Sequence, residues 1–211
     1  MRVRRSRLII AFFLVLLVVI GIIFYFNWTK FNGPREISEN IQVSDYDIIY
    51  GQEDAPLTVF LYANYGCSFC QQFYNEVLPT IKERYIDTGK VKLVVKLVVL
   101  TNDPNSYYAH QTAACVNKFG SLEKFQKLLL YDYQVIYTTD FRQLVDEFIA
   151  VNPYVAECIL YNSDYKYLNE NRISFIKYKL SGTPTFIINK RIYSGYSDLK
   201  TFERILIKEL Y

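Results

Sequence analysis

Cys67-Ser68-Phe69-Cys70 is the stretch of this chain whose residue types and spacing suit covalent chemistry. Two thiols separated by two residues can close a small disulfide. Where they sit at the start of a helix, its unpaired amide N–H groups and macrodipole favour a thiolate on the first. Cys67 is then the nucleophile and Cys70 the resolving thiol, and the reaction is thiol–disulfide exchange through a mixed disulfide, in which a low-pKa thiol is also the better leaving group. Two blander readings compete, half of a zinc site and an inert staple. Zinc would want a second close pair or nearby histidines, whereas Cys115 and Cys158 stand far apart and His110 is the single histidine. No metal is expected.

The flanking residues say how such a pair is positioned. Leu57 and Val59 to Ala63 form a mostly apolar, aromatic-rich run of the kind found in a strand covered on both faces. After Cys70, the apolar residues Phe73, Val77, Leu78, Ile81 and Tyr85 recur three and four apart, which predicts a helix with one buried face. Pro79 interrupts that period and predicts a kink rather than an end, because Ile81 and Tyr85 continue the stripe. Thr88-Gly89 breaks the chain and Val91 to Leu100 is another β-branched run, so strand, helix and strand make the βαβ unit of a parallel sheet.

The start of the chain reads differently. Residues 1–7 carry Arg2, Arg4, Arg5 and Arg7, and Leu8 to Phe26 are nineteen residues without a charge. At about 1.5 Å per residue that helix is roughly 28 Å long, close to a hydrocarbon core of about 30 Å. The arginines place the N-terminus in the cytoplasm and everything after Trp28 outside. A cleaved signal peptide is the competing reading. The apolar run exceeds the roughly 7–15 residues usual for one and Phe24 to Trp28 offer no small-residue cleavage site, so an uncleaved anchor is favoured. Residues 27–45 are polar, contain Asn32-Gly33-Pro34, and read as a tether to a domain over 46–211.

Within that domain Tyr46 to Tyr50 is a candidate edge strand. From Asp103-Pro104-Asn105 to Leu180 only helical periodicity appears, which predicts a helical insertion at about 105–180 that carries His110, Cys115 and Cys158. Strand character returns at Thr185 to Ile188 and Ile192 to Gly195 as a hairpin, and Ser197-Asp198 caps a last helix with Leu199, Phe202, Ile205, Leu206 and Leu210 inward. The formal charge is +3, and the four early arginines account for more than that, so the remainder sits near neutral. That argues against nucleic acid as a partner. The twenty tyrosines and fifteen phenylalanines are read as core aromatics and compositional bias rather than a client groove.

With these pieces placed, the chain from about Tyr46 to Tyr211 resembles the DsbA-type thiol:disulfide oxidoreductases, extracytoplasmic members of the thioredoxin superfamily. The resemblance is carried by Gly51-Gln52-Glu53-Asp54-Ala55-Pro56, the Cys67–Cys70 pair at a strand end, Tyr85-Ile86-Asp87-Thr88-Gly89-Lys90-Val91, and Gly182-Thr183-Pro184-Thr185-Phe186 ahead of the hairpin. It implies an α/β thioredoxin fold with an inserted helical subdomain, an active-site disulfide, and Pro184 in the cis form facing it. Thr183 takes the position that in the family helps set redox behaviour and accepts the client backbone. Three departures stand out. Ser68 and Phe69 replace the proline and histidine that the strict oxidase encloses, so that histidine's help to the thiolate is missing. Leu61 stands where many relatives carry an acid six residues before the first cysteine, so another group or water must move the resolving thiol's proton. Cys115 and Cys158 form an extra pair.

For that extra pair a structural disulfide, a second redox couple and two free thiols are open. An even cysteine count outside the cytoplasm favours a bridge, and the short Cys-x-x-Cys ring makes 67–70 with 115–158 the natural connectivity. His110 near Cys115 could shuttle protons, but a surface or core-edge histidine is favoured. The function expected is an enzyme, anchored in the cytoplasmic membrane, that exchanges its Cys67–Cys70 disulfide with cysteines of exported proteins in the direction of disulfide formation. The resemblance further implies a quinone-linked membrane partner, and no metal or organic cofactor beyond the redox-active disulfide. A reductase or isomerase, and a non-catalytic tethered module that holds peptide, are the alternatives.

Overall fold

A computed structural model of the protein describes residues 14–25, 34–161 and 165–211. Two units separate, Met1–Arg35 and Glu36–Tyr211. In the first, residues 14–25 are helical. The expected anchor over Leu8 to Phe26 lies partly outside the described residues, and the basic residues 1–7 wholly outside. Among the described residues no helix is long and apolar enough to cross a membrane.

The second unit is built on five strands: β1 (Ile48–Tyr50), β2 (Leu57–Ala63), β3 (Val91–Leu97), β4 (Thr185–Ile188) and β5 (Arg191–Ser194), in the order β1-β3-β2-β4-β5. β2 and β3 pair in parallel from Leu57↔Val91 to Ala63↔Leu97, and the other pairings are antiparallel. The parallel pair needs a crossover, and the helical run 68–86, here α1, supplies it. Leu57, Val59, Leu61 and Ala63 join the core that α1 covers, while Tyr62 and Phe60 point to the opposite face, where Phe175, Leu180 and Ile187 pack. Both faces are therefore covered, which explains the lack of strict alternation in β2 and the complete burial of β3.

α1 departs from the expected regular helix. Two α-helical pieces, Ser68–Gln72 and Leu78–Ile81, alternate with π-helical turns at Phe73–Val77 and Lys82–Ile86. The Leu78 N–H reaches back five residues to the Phe73 carbonyl, so the turn widens just ahead of Pro79, where a proline ring meets the preceding turn. Each π turn adds a residue to the repeat. The stripe continues from Ile81 to Ile86, which is buried, rather than to Tyr85, which is only half-buried.

Between β3 and β4 lies the helical subdomain: α2 (Pro104–Phe119), α3 (Leu122–Tyr131), a 3₁₀ turn (Tyr133–Tyr137), α4 (Thr139–Val151), α5 (Pro153–Tyr161) and α6 (Lys166–Lys177). Asp103 caps α2 by accepting the Asn105 and Ser106 N–H groups, with Pro104 in the first turn. Cys115 of α2 is disulfide-bonded to Cys158 of α5, with Cα atoms 5.8 Å apart. The last helix, α7 (Leu199–Leu210), is capped by Asp198 as the sequence suggests.

The tether expected over 27–45 requires correction. Residues 26–33 lie outside the described residues, but Glu36 bridges Arg191 of the edge strand β5, and the Ile37 N–H donates to the Lys190 carbonyl at 2.8 Å. Ile37 is buried, and Ile41 packs against the same cluster as Tyr62 and Phe175. Isolated isoleucines in a polar stretch carry no period, yet both pack on the face of the sheet opposite α1.

One buried ion pair links this face to the subdomain. Lys96 Nζ donates to Asp47 Oδ2 at 2.8 Å, the Tyr167 hydroxyl donates to Asp47 Oδ1 at 3.0 Å, and both charged side chains are almost completely buried. Removing one member leaves the other charged and unpaired, which costs about 3–5 kcal/mol. Asp47→Ala is therefore expected to lower the unfolding free energy by roughly that amount in urea titrations; a loss below about 1 kcal/mol would show the pair to be hydrated.

Candidate active site

β2 ends at Ala63, and the loop 64–66 turns the chain so that Cys67 becomes the N-cap of α1. The backbone of that loop is held by several hydrogen bonds, although the buried Tyr65 hydroxyl has no partner among the described residues. Asn64 Nδ2 donates to the Val98 carbonyl at 2.8 Å and its Oδ1 accepts the Gly66 N–H at 2.7 Å. The Cys67 N–H donates to the Asn64 carbonyl at 3.1 Å, and Gln71 Nε2 donates to the Tyr65 carbonyl at 2.8 Å. Cys67 itself is extended, at φ −90° and ψ 116°, and its carbonyl accepts the Cys70 and Gln71 N–H groups at 2.9 and 3.0 Å.

This places two free thiols in unequal surroundings. Cys67 is half-buried and Cys70 is 1% exposed. The Thr183–Pro184 peptide is cis, Pro184 is buried, and the Thr183 carbonyl accepts from Cys67 Sγ at 3.1 Å. Behind it, Thr185 Oγ1 donates to the Gly182 carbonyl at 2.6 Å and the Gly195 N–H to the Pro184 carbonyl at 2.8 Å, so the loop facing the pair is fixed from both sides. The structure thus brings Cys67, Cys70, Thr183 and Pro184 together. Ser68 and Phe69 are exposed at the helix start, with Phe69 stacked on Tyr196 at 6.5 Å and the Tyr196 hydroxyl donating to Glu76 at 2.7 Å. Cys115 and Cys158 belong to the disulfide inside the helical subdomain.

The two thiols are driven apart in acidity. The Cys70 thiol, donating to the ionised Cys67 sulfur, lowers the Cys67 pKa to about 5 against the opposing effect of partial burial, with further help from the Thr183 side chain and the backbone of Cys70 and Phe69. The same contact pushes the Cys70 pKa far up, and burial adds to it. When Cys67 is neutral its S–H donates to the Thr183 carbonyl; on ionisation that bond is given up and the sulfur becomes an acceptor.

Leu61, where an acid is common in the resembling family, is fully buried on the α1 face of β2. The groups that bear on Cys70 are Cys67, the Asn64 backbone and the Thr183 side chain. Among the described residues no group of three His, Cys, Asp or Glu side chains could hold a metal ion.

His110 corrects the expectation of a surface or core-edge residue. It is fully buried, and it bonds the backbone of the active-site loop at Tyr65. Its role, with those of Asn64, Gln71 and Tyr133, was missed by sequence reasoning because each acts across 27 to 45 residues or, for Gln71, on a backbone carbonyl. Asn64, three residues before Cys67, carried the only local signal: a side chain suited to bonding its own backbone two residues on.

A mixed sheet with a cis-proline loop facing a Cys-x-x-Cys pair at a helix start defines a thioredoxin-fold dithiol protein with a helical insertion. A family model described as Thioredoxin matches residues 43–208, and the chain belongs to that family. It is similar to a putative protein-disulfide oxidoreductase of Rickettsia felis, 24% identical over an alignment of 173 residues that covers 77% of this chain and 60% of the relative. The chain thus spans about 60% of the length of that curated relative. Its fold is shared with alpha-DsbA1 of Wolbachia pipientis, at a TM-score of 0.62, 24% identity, and coverage of 78% of this chain and 90% of that one. BdbD of Bacillus subtilis in its oxidised form gives a TM-score of 0.65 at 21% identity, over 85% of this chain and 99% of that one.

A group whose pKa is depressed in the folded protein contributes stability that is present above its ordinary pKa and is lost as pH falls through the folded value. For Cys67 that window runs from 9.0 down to about 5. The melting temperature of the reduced protein, relative to the oxidised one, is expected to rise from pH 5 towards pH 9. The ultraviolet absorbance of the thiolate should titrate with a midpoint near 5, and Cys70→Ala should move that midpoint upward by removing the principal donor. A wild-type midpoint near 9.0 would contradict this account.

Proposed function

We propose that this chain is a thiol:disulfide oxidoreductase that transfers its Cys67–Cys70 disulfide to pairs of cysteines in exported proteins. The observation that carries the reading is the geometry of the pair, with Cys67 half-buried at the start of α1 against the cis-proline loop and Cys70 buried behind it, which lowers the Cys67 pKa to about 5 and raises that of Cys70. Stabilising the Cys67 thiolate stabilises the reduced form, which makes the disulfide a stronger oxidant and makes Cys67 the better leaving group. The names of the relatives, which include a probable disulfide bond formation protein D of Bacillus anthracis, agree with this chemistry.

In the forward direction a client thiolate attacks Cys67 Sγ of the Cys67–Cys70 disulfide, forming a client–Cys67 mixed disulfide and releasing Cys70 as a thiolate that takes up a proton. A second client thiolate then attacks the client sulfur, the client disulfide forms, and Cys67 leaves as its thiolate. Two electrons pass from the client to the pair. The exposed Phe69, the half-buried Thr183 and Cys67 itself make the face on which a client is received, with the Thr183 backbone at its centre. Reoxidation requires a two-electron acceptor, assigned here to a quinone-linked membrane partner. The apolar run from Leu8 to Phe26 and the arginines before it support attachment to the cytoplasmic membrane with the catalytic unit outside.

The deciding measurement is the equilibrium reduction potential of the Cys67–Cys70 pair in glutathione buffers. A value near or above about −180 mV is expected for an oxidase, whereas one near about −270 mV would replace this reading by a reductase. In parallel, Cys70→Ala should accumulate mixed disulfides with a cysteine-containing peptide and Cys67→Ser should form none. A Cys67→Ser protein that retains full activity would leave only a peptide-holding module.

A further inference from the structure

His110 lies in the helical insertion, 43 residues after Cys67. Its Nδ1 is 2.7 Å from the Ser106 carbonyl oxygen. A carbonyl can only accept, so Nδ1 carries the proton and Nε2 keeps a free lone pair. That lone pair accepts the Tyr65 backbone N–H at 3.1 Å, two residues before Cys67.

The ring is also wedged by its neighbours. Tyr65 and Tyr133 lie at centroid distances of 5.2 and 6.0 Å, and the Tyr133 hydroxyl shares a hydrogen bond of 2.6 Å with Ser106 Oγ on α2. Tyr133 in turn sits over Gly66, where an added Cβ would lie 2.5 Å from its ring. Ser106, His110 and Tyr133 are thus one bonded unit closed over Tyr65 and Gly66, the two residues that lead directly into Cys67.

We propose that His110 is a positioning residue for the nucleophile: by accepting the Tyr65 N–H, with Tyr133 closed over Gly66, it fixes the loop that sets Cys67 against the donors at the start of α1. The inference rests on the exchange chemistry proposed for Cys67. A buried amide N–H left without an acceptor costs about 1–3 kcal/mol, enough to shift a three-residue loop toward another arrangement. The donors that hold the Cys67 thiolate act at hydrogen-bond range, so a small displacement of the loop weakens them. Burial holds the imidazole pKa down to about 4, which keeps His110 a neutral acceptor wherever Cys67, at about 5, is a thiolate.

The test compares the full chain with His110→Leu, which keeps the volume and loses the acceptor, and His110→Gln, whose amide oxygen can take the Nε2 position. Thiolate titration and the rate of reaction with a small disulfide are measured, with thermal melts to report folding. His110→Leu is expected to raise the Cys67 midpoint by about one pH unit, equivalent to about tenfold in acidity, and to slow the reaction near pH 5 by about two- to fivefold, since the thiolate fraction falls about fivefold and the more basic sulfur recovers part of that. His110→Gln should return most of both. A Leu variant that melts cooperatively with the wild-type midpoint overturns the proposal, as does a Gln variant no better than Leu. If His110→Leu does not fold, Tyr133→Leu decides: its midpoint should also rise, and an unchanged one overturns the proposal. A wild-type midpoint near 9.0 would instead remove the exchange reading and this inference with it, whereas a low wild-type midpoint with unresponsive variants removes the inference alone.

Discussion

The unequal surroundings of two thiols, Cys67 half-buried at the start of α1 and Cys70 buried in the core, govern this structure. The Cys70 thiol donates to the ionised Cys67, which makes Cys67 acidic and Cys70 reluctant to ionise. That arrangement requires Cys67 to stand outside the helix as its cap while Cys70 lies in the first turn, and it requires Cys70 to be shielded from water that would compete for its proton. Burial alone would raise both pKa values. The gap between them comes from asymmetry: one thiol faces the helix start and the cis-proline loop, the other faces the core.

The rest of the fold maintains that asymmetry. β2 and β3 form a two-sided parallel core, so the end of β2 is a rigid place from which to launch the loop 64–66. The loop is short and polar, and an unpaired backbone group in it would be costly. Its partners come from the loop itself, through Asn64, from α1, through Gln71, and from the insertion, through His110. The helical subdomain is therefore part of the site rather than an appendage. Its own attachment depends on the buried Asp47–Lys96 pair with Tyr167, and on Asn171, which donates to the Leu97 carbonyl at the end of β3.

Much of this was legible in the sequence because it is local. The strand before Cys67, the helix after it, the hairpin at Thr185 to Ser194 and the Asp198 cap all follow from patterns within a dozen residues. Where the reading slipped, the cause was physical. In α1 a fixed period of 3.6 selects Tyr85, but two π turns lengthen the repeat and bury Ile86 instead. Residues 36–45 read as a tether because they have no period, yet an edge strand needs only a few backbone bonds and isolated apolar anchors to hold such a segment. His110 was undervalued because no ionisable partner accompanies it in sequence; its partners are two backbone groups, which leave no compositional trace.

Two departures from the resembling family meet at the same atoms. No histidine stands between the cysteines to set an imidazolium beside an ionised Cys67, and Leu61 replaces the acid that would take the Cys70 proton. The structure answers the first with uncharged contacts: the Cys70 thiol, the Thr183 side chain and the helix-start backbone still bring Cys67 to about 5. The same Thr183 side chain lowers the pKa of both thiols. A hydroxyl donates one hydrogen and accepts through two lone pairs, so it can turn from one sulfur to the other without ionising. At this site acidity is shifted by burial and by hydrogen bonds whose strength depends on position to a few tenths of an ångström. That dependence is why the loop carrying Cys67 is bonded from three elements.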